Sequence, residues 1–293
     1  MKIRISHRTT YRYREPVSFG PHYVMLRPRE GHDIHIESSI LEITPAHNTR
    51  WIRDVNGNCI AKLDFLEPSN RLTIHSELLL HHYDTNPFDF LLDKNASTYP
   101  FVYPAESKSE LAAFTQTLYP KDTAALSAWQ QPFWRPGQSV GTMDLLQNLN
   151  LHIHRTLRYQ QRNDEGVQTP AQTLNLQSGS CRDFATLFVE ACRTWGLASR
   201  FVSGYMLCEA TGAGGASTHA WAEVYLPGAG WKGFDPTSGI VTGSQHIAVA
   251  VSRDPEKAAP ISGSFSGPAN AFLGMDINVL VTEDGKAPTA GRS

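Results

Sequence analysis

The sequence predicts an α+β protein: an N-terminal antiparallel β-sandwich followed by a half in which helices precede an antiparallel sheet. Three observations carry that reading. The opening residues alternate apolar and charged with period two. Short alternating runs separated by turn signals continue to about residue 80. From Pro104 onward apolar residues recur at three-to-four spacing before strands resume. The 293 residues suit about two domains, and 41% hydrophobic with only 18% charged residues excludes a disordered or coiled-coil chain. The expected division is residues 1–100 for the sandwich, 101–255 for an α+β core with its preceding helices, and 256–293 for an irregular segment and a last strand packing back on the first domain.

Residues 2–14 make the first strand, with Ile3, Ile5, Tyr11 and Tyr13 on one parity and Lys2, Arg4, Arg8, Arg12 and Arg14 on the other. The basic parity reads as a solvated face in preference to a surface for an anionic partner. Further strands are expected at Asp33–Thr44, Thr49–Val55, Cys59–Phe65 and Leu72–Leu80. Asn56-Gly57 signals a hairpin, because both residue types accept positive φ. Helices are expected over Glu106–Leu118, through Leu111, Phe114 and Leu118, and over Thr142–Tyr159, through Met143, Leu146, Leu149, Ile153 and Leu157. Pro132, Pro136 and Gly137 break the stretch between them. A helix over Cys181–Trp195 leads to strands near Arg200–Leu207, His219–Leu226 and Trp231–Asp235. Gly212–Gly215 reads as a flexible loop, Ala258–Asn270 as irregular, Ile277–Thr282 as a last strand, and the tail after Glu283 as loose.

Charge and cysteine content narrow the function classes. Lys+Arg 26 against Asp+Glu 28 gives −2, a balance that does not suggest nucleic-acid or membrane-surface binding. No run of 18 apolar residues and no N-terminal apolar h-region is visible, so neither a membrane span nor a signal peptide is expected, and the expected compartment is the cytoplasm. Four cysteines are too few for a disulfide scaffold. No glycine-rich phosphate loop is present, and Cys181, His219 and Asp235 lack the short paired spacing of metal ligands, so no metal is expected.

The most informative stretch is Ser178-Gly179-Ser180-Cys181-Arg182-Asp183-Phe184-Ala185. Downstream, Phe184, Leu187, Phe188, Ala191, Cys192 and Trp195 form one apolar stripe. Ser180 with Asp183 three residues on reads as a capping box, placing Cys181 at the first helical position. There the free backbone N–H groups and the positive helix end favour an anion, and the thiolate is the nucleophile. The same N–H groups suit the oxyanion of a tetrahedral intermediate, and Asp183 mildly opposes the thiolate by adding negative charge. Cys192 lies on the stripe and reads as core; Cys59 and Cys208 read as core or incidental.

A nucleophilic thiol needs a base and the base an orienter. His219 opens one strand and Asp235 closes the next. For the two to share a face, paired residue numbers must sum to an even value. A sum of 456 sets Asp235 opposite Trp221 and diagonal to His219, which demands an odd turn of three residues (Pro227–Ala229) or five (Leu226–Gly230). Trp221 and Trp231 are candidates for walling a substrate cleft, with core packing the alternative for at least one.

The order Cys…His…Asp resembles the transglutaminase-like core of the papain-like cysteine enzymes, in which a helix bearing the cysteine packs on an antiparallel sheet bearing the histidine and aspartate. Gly179-Ser180-Cys181-Arg182-Asp183-Phe184-Ala185 is similar to that family's cysteine motif, and Arg193–Tyr205, His219–Tyr225 and Asp235-Pro236-Thr237 continue the match. The opening β region resembles the N-terminal domain of bacterial transglutaminase-like proteins. The resemblance implies Cys181 as nucleophile, His219 as base, Asp235 as orienter and a thioester acyl-enzyme resolved by water or an amine. It implies no organic cofactor, a peptide or protein substrate and, for the transfer reaction, an amine acceptor. Tyr159 matches an aromatic position upstream of the cysteine and is a candidate oxyanion donor, with core aromatic the alternative; Gln177 is a second candidate. Many relatives carry Gly-Arg-Asp-Tyr where this chain has Ser252-Arg253-Asp254-Pro255. A non-catalytic peptide-binding or scaffold protein of the same fold is the alternative function.

Overall fold

The computed structural model describes residues 1–83, 86–162, 164–207 and 218–284. The Gly212–Gly215 loop, Cys208 and the tail from Gly285 onward lie outside them. The chain opens with six strands, β1 (Lys2–Phe19), β2 (His22–Val24), β3 (Ile34–Thr44), β4 (His47–Arg53), β5 (Cys59–Phe65) and β6 (Ser69–His82). Among the described residues five α-helices follow: α1 (Ala105–Leu111), α2 (Thr123–Gln130), α3 (Thr142–Thr156), α4 (Pro170–Leu176) and α5 (Cys181–Thr194). Strands then resume as β7 (Ser199–Met206), β8 (Thr218–Leu226), β9 (Gly230–Asp235), β10 (His246–Ser252) and β11 (Phe272–Glu283).

Period-two patterning places β1 as expected: Ile3, Ile5 and Tyr13 are buried while Arg4, Arg8, Arg12 and Arg14 are exposed. On the exposed face Arg4 meets Asp284 at 3.2 Å, Arg12 meets Asp276 at 2.9 Å and Lys2 meets Glu37 at 2.9 Å. β1 is central in its sheet, paired antiparallel with β6 on one side and with β11 on the other. β3 completes that sheet beyond β6, and β2, β5 and β4 form the facing sheet. Val24, Ala61 and Leu63 of one sheet pack on Leu72 and Ile74 of the other, each buried Val, Leu or Ile stabilising by about 1.5–3 kcal/mol. The last strand therefore returns to the first, with Ile5 opposite Val281 and Thr9 opposite Ile277.

The second sheet-bearing half has the order Ile240–Val241, β9, β8, β7, β10, all antiparallel. α5 packs Phe184, Leu187, Phe188 and Ala191 on Ala222, Val224, Leu226 and Phe234 of this sheet, with Leu146, Leu149 and Ile153 of α3 in the same cluster. The two halves share a further cluster, in which Ile3, Ile5, Val279 and Val281 meet Ala185, Phe201, Tyr205 and Ile247.

Three local expectations change. The Asn56-Gly57 turn uses positive φ only at Gly57 (75°). Asp54 accepts from Gly57 N at 2.9 Å through its carbonyl and from Asn56 N at 2.9 Å through its carboxylate, so the turn is centred on Val55 and Asn56 and only the following residue needs glycine. The helix expected over Glu106–Leu118 stops at Leu111 and tightens into a 3-10 turn, Ala112–Thr115. Side chains from elsewhere take over its backbone groups: Arg253 donates to Ala113 O at 2.8 Å, Arg193 to Phe114 O at 3.3 Å, and Glu190 accepts from Leu118 N at 3.0 Å. β10 was not expected, because an apolar run buried on both faces has no period-two signature. Its outer edge is closed by the sandwich. Asn58 donates to Val251 O at 2.8 Å and accepts from Val251 N at 2.9 Å, and Arg29 N donates to Ala248 O at 2.9 Å.

Candidate active site

α5 begins where the capping box places it. Ser180 is extended (φ −87°, ψ 177°), and its backbone N–H and hydroxyl donate to Asp183 Oδ2 at 2.7 and 2.8 Å. Asp183 is fully buried, and Arg162 Nη1 reaches its two oxygens at 2.7 and 2.9 Å while Gln168 N donates to Oδ1 at 2.7 Å. Burial pushes this carboxyl up, but the Gln168 and Ser180 N–H groups and the Arg162 guanidinium outweigh it and hold the group below the usual carboxylate range. The negative charge expected to oppose a thiolate at Cys181 is thus paired with Arg162. Cys181 is half-buried at the helix start, and Cys192, one turn from the helix end, has no exposure. Burial pushes the Cys192 thiol far up, which leaves it a packing residue.

The hairpin register follows the parity argument. Ala222 pairs with Phe234 and Leu226 with Gly230 across the three-residue turn Pro227–Ala229. That register sets Asp235 opposite Trp221 and diagonal to His219. His219 Nε2 donates to Asp235 Oδ2 at 2.9 Å. Cys181 acts on the same imidazole. Burial pulls the imidazole's pKa down, but the hydrogen bonds and charges of Asp235 and Cys181 outweigh it and raise it to about 10. Asp235 has no exposure; its carboxyl lies well below the usual range although burial opposes this, because His219, His246 and Ser238 all donate to it. Ser238 Oγ lies 2.6 Å from Oδ2, and Thr237 N donates to Oδ1 at 2.9 Å.

His246 is the site residue that sequence reasoning missed. It opens β10, is 2% exposed at its side chain and donates through Nε2 to Asp235 Oδ2 at 3.2 Å. Its only sequence signal is a histidine heading an apolar run. His219, Asp235 and His246 offer ligating atoms within 4.8 Å of one another. Each histidine reaches the same carboxylate oxygen of Asp235 through its Nε2, which links the three side chains into one hydrogen-bonded unit.

The remaining predicted residues divide. Tyr159 lies on the short parallel pairing of Arg158–Tyr159 with Ser178–Gly179, which brings it beside the start of α5. It is half exposed; partial burial, with Cys181 close by, raises its hydroxyl above the usual tyrosine range. Gln177 ends α4 in the left-handed region (φ 50°), and its amide turns back to donate to Leu174 O at 2.6 Å. Trp221 is 2% exposed, so it packs within the site's wall rather than lining an open cleft. Its ring sits 5.2 Å from that of His246 and 6.2 Å from that of His219. Gly204 makes room for it: a Cβ there would strike the Trp221 ring and Ile247 O. Trp231 stands at the far end of the hairpin, opposite Tyr225. There Arg200 covers its ring at 4.0 Å, and it lines a separate hollow of about 360 Å³ with Phe114, Glu106 and Glu110.

The fold and this geometry define an α+β protein with a cysteine at a helix start packed on an antiparallel sheet that carries a histidine–aspartate pair. Comparison with known families agrees. Residues 135–236 match the transglutaminase-like superfamily, and residues 3–80 match the bacterial transglutaminase-like N-terminal region. The chain thus joins a bacterial transglutaminase-like N-terminal region to a transglutaminase-like core. Among curated relatives, an uncharacterised protein of Mycobacterium tuberculosis is 27% identical over 96% of this chain and 93% of its own length, and one of Mycobacterium leprae is 24% identical over 96% and 98%. Among solved structures, a Cytophaga hutchinsonii protein provisionally described as a cysteine protease shares the fold at a TM-score of 0.75. It is 19% identical, and the match covers 98% of this chain and 93% of that one. Among the described residues, no helix is long and apolar enough to cross a membrane.

Proposed function

We propose that the protein is a cysteine-dependent acyl-transfer enzyme acting on peptide or carboxamide substrates, with Cys181 as nucleophile, His219 as general acid and base and Asp235 as orienter. The observation that carries the reading is the imidazole of His219 held by buried Asp235 at 2.9 Å, with Cys181 close enough to act on the same ring. The attacking species is the thiolate, and the raised pKa of His219, about 10, favours the imidazolium beside it at neutral pH. The thiolate attacks the substrate carbonyl carbon, and the carbonyl oxygen takes the negative charge. The proposed donors to that oxyanion are the first-turn N–H groups of α5 and the Tyr159 hydroxyl. As the tetrahedral species collapses, His219 gives its proton to the leaving amine, which departs neutral and leaves a thioester. His219, now neutral, then takes a proton from water or an incoming amine as that nucleophile attacks the thioester, and the thiolate–imidazolium pair is restored. Water gives hydrolysis or deamidation; an amine gives transfer. The chemistry needs a reduced thiol, which the cytoplasm supplies.

The test is incubation with a peptide mixture, with and without a primary amine or hydroxylamine, read by mass spectrometry against a Cys181→Ala blank. Peptide cleavage, deamidation or an amine adduct that vanishes in the blank is expected. No mass change beyond the blank, together with an ordinary thiol reactivity at Cys181, would overturn the reading. Because Cys181 sits at a helix tip, the variant is expected to melt within a few degrees of the parent, and a collapse of its fold would argue against that placement.

A further inference from the structure

We infer that His246 is a positioning residue for the proposed triad: its Nε2–H holds the one carboxylate oxygen of Asp235 that also receives His219, and so keeps that imidazole aimed at Cys181. The inference rests on the triad reading and adds a fourth member to it.

The argument begins with the hydrogen-bond inventory. An ionised carboxylate only accepts, so the nitrogen of His246 that lies 3.2 Å from Asp235 Oδ2 carries the hydrogen. The same oxygen accepts from His219 at 2.9 Å and from Ser238 Oγ at 2.6 Å. Three donors from β8, β10 and the turn after β9 thus converge on one atom, while backbone N–H groups of Thr237 and Ser238 hold Oδ1. The donors around Oδ2 fix the rotation of the carboxylate about its Cβ–Cγ bond. The direction of that oxygen sets the plane of the His219 ring, and the ring plane sets where its second nitrogen points.

The second observation is a cost that folding alone does not explain. Among the described residues, His246 Nδ1 is buried with no hydrogen-bond partner. A buried, unpartnered ring nitrogen destabilises the fold, and a phenylalanine would fill the same space without it. The ring also packs edge-on to Trp221, at 76° between planes, so shape alone would be served by an apolar ring. What phenylalanine lacks is the donor to Asp235. The titratable groups facing His246 are Asp235 from β9 and His219 from β8, with Cys181 of α5 beyond His219; β7 presents Met206 opposite it.

The test compares His246→Phe, which keeps the ring and loses the donor, with His246→Asn, which keeps a donor. Alkylation of Cys181 by iodoacetamide is followed across pH by peptide mapping. For His246→Phe the profile is expected to move to higher pH, with the neutral-pH rate falling about tenfold, the order of loss that small misplacement of a reacting group produces. His246→Asn is expected to stay within about threefold of the parent. Equal losses in the two variants would assign His246 to packing and overturn the inference. An unchanged profile in His246→Phe, beside a shifted one in His219→Ala, would overturn it and leave the triad standing. An unchanged profile in His219→Ala would overturn the triad itself. In the unsubstituted protein, ¹⁵N shifts of labelled histidines should show His246 as the Nε2–H tautomer. An Nδ1–H tautomer would overturn the inference whatever the variants do.

Discussion

Replacing Asp235 by asparagine removes one charge and keeps the shape, and its effect can be worked from the geometry. His219 stands at about 10 instead of 6.5, and its side chain is 11% exposed. Each pKa unit corresponds to about 1.4 kcal/mol, so the displacement sets a ceiling near ~5 kcal/mol. Asp235 supplies only part of it, since Cys181 supplies the rest, and an ion pair that has lost one partner typically loses ~3–5 kcal/mol. We expect Asp235→Asn to lower unfolding free energy at pH 7 by about 3 kcal/mol and to reduce kcat/KM on the order of 10³-fold. The sign with pH follows from linkage. A histidine raised in the folded state contributes stability that is complete below pH 6.5 and is lost as pH rises through about 10. Asp235, held low, contributes stability above the ordinary carboxylate range that is lost only as pH falls far below it. Urea unfolding of parent and variant at pH 7 and at pH 10.5 is the assay. The gap should be widest at pH 7 and should narrow at pH 10.5. A gap of equal size at both pH values would refute the assignment of charge to the His219–Asp235 pair.

Three further outcomes are expected. Arg162→Ala strands the buried Asp183 carboxylate and should cost about 3 kcal/mol in urea unfolding while slowing Cys181 alkylation; a change under 0.5 kcal/mol would mean that Asp183 does not need its cation. Asn58→Ala leaves Val251 N–H and C=O unpaired at the buried edge of β10 and should cost about 2–4 kcal/mol, with faster amide exchange at Val251 as the local readout. His7 is buried between the halves against Tyr205, and burial lowers its pKa to about 4. The folded state therefore binds fewer protons than the unfolded one between about pH 4 and 6.5, so stability falls as pH drops through that window. In His7→Gln that part of the slope should disappear, and an unchanged pH-stability curve would count against it.

The parts of the site written in local sequence were legible. The stripe from Phe184 to Cys192 announces the helix, Ser180 and Asp183 announce its start, and the parity of His219 and Asp235 fixes the hairpin register before any contact is known. What was not legible depends on residues far apart in the chain. His246 reaches Asp235 only because β10 lies across β7 from β8, a neighbour relation that no local pattern encodes. Arg162 neutralises Asp183 from a loop, and Asn58 serves Val251 from another sheet. The end of α1 fails for the same reason: Arg193 and Arg253 compete for carbonyls that helical spacing alone assigns to the helix. Trp231 shows the opposite error, a residue near Asp235 in sequence and remote from it along the strand.

The pairing of β11 with β1 has a consequence for the order in which the molecule can be made. β1 is synthesised before its two partner strands, and β6 can cover one of its edges well before β11 exists. Its other edge stays open until Phe272–Glu283 has emerged, after the entire cysteine-bearing half. Throughout that interval a long unpaired strand edge is exposed to neighbouring chains, an aggregation hazard during synthesis. Val279 and Val281, which pack in the cluster shared by the halves, arrive in the same step. Closing the first sheet and seating the helix that carries Cys181 are thus finished together, so an incomplete chain holds its thiol in an unfinished site.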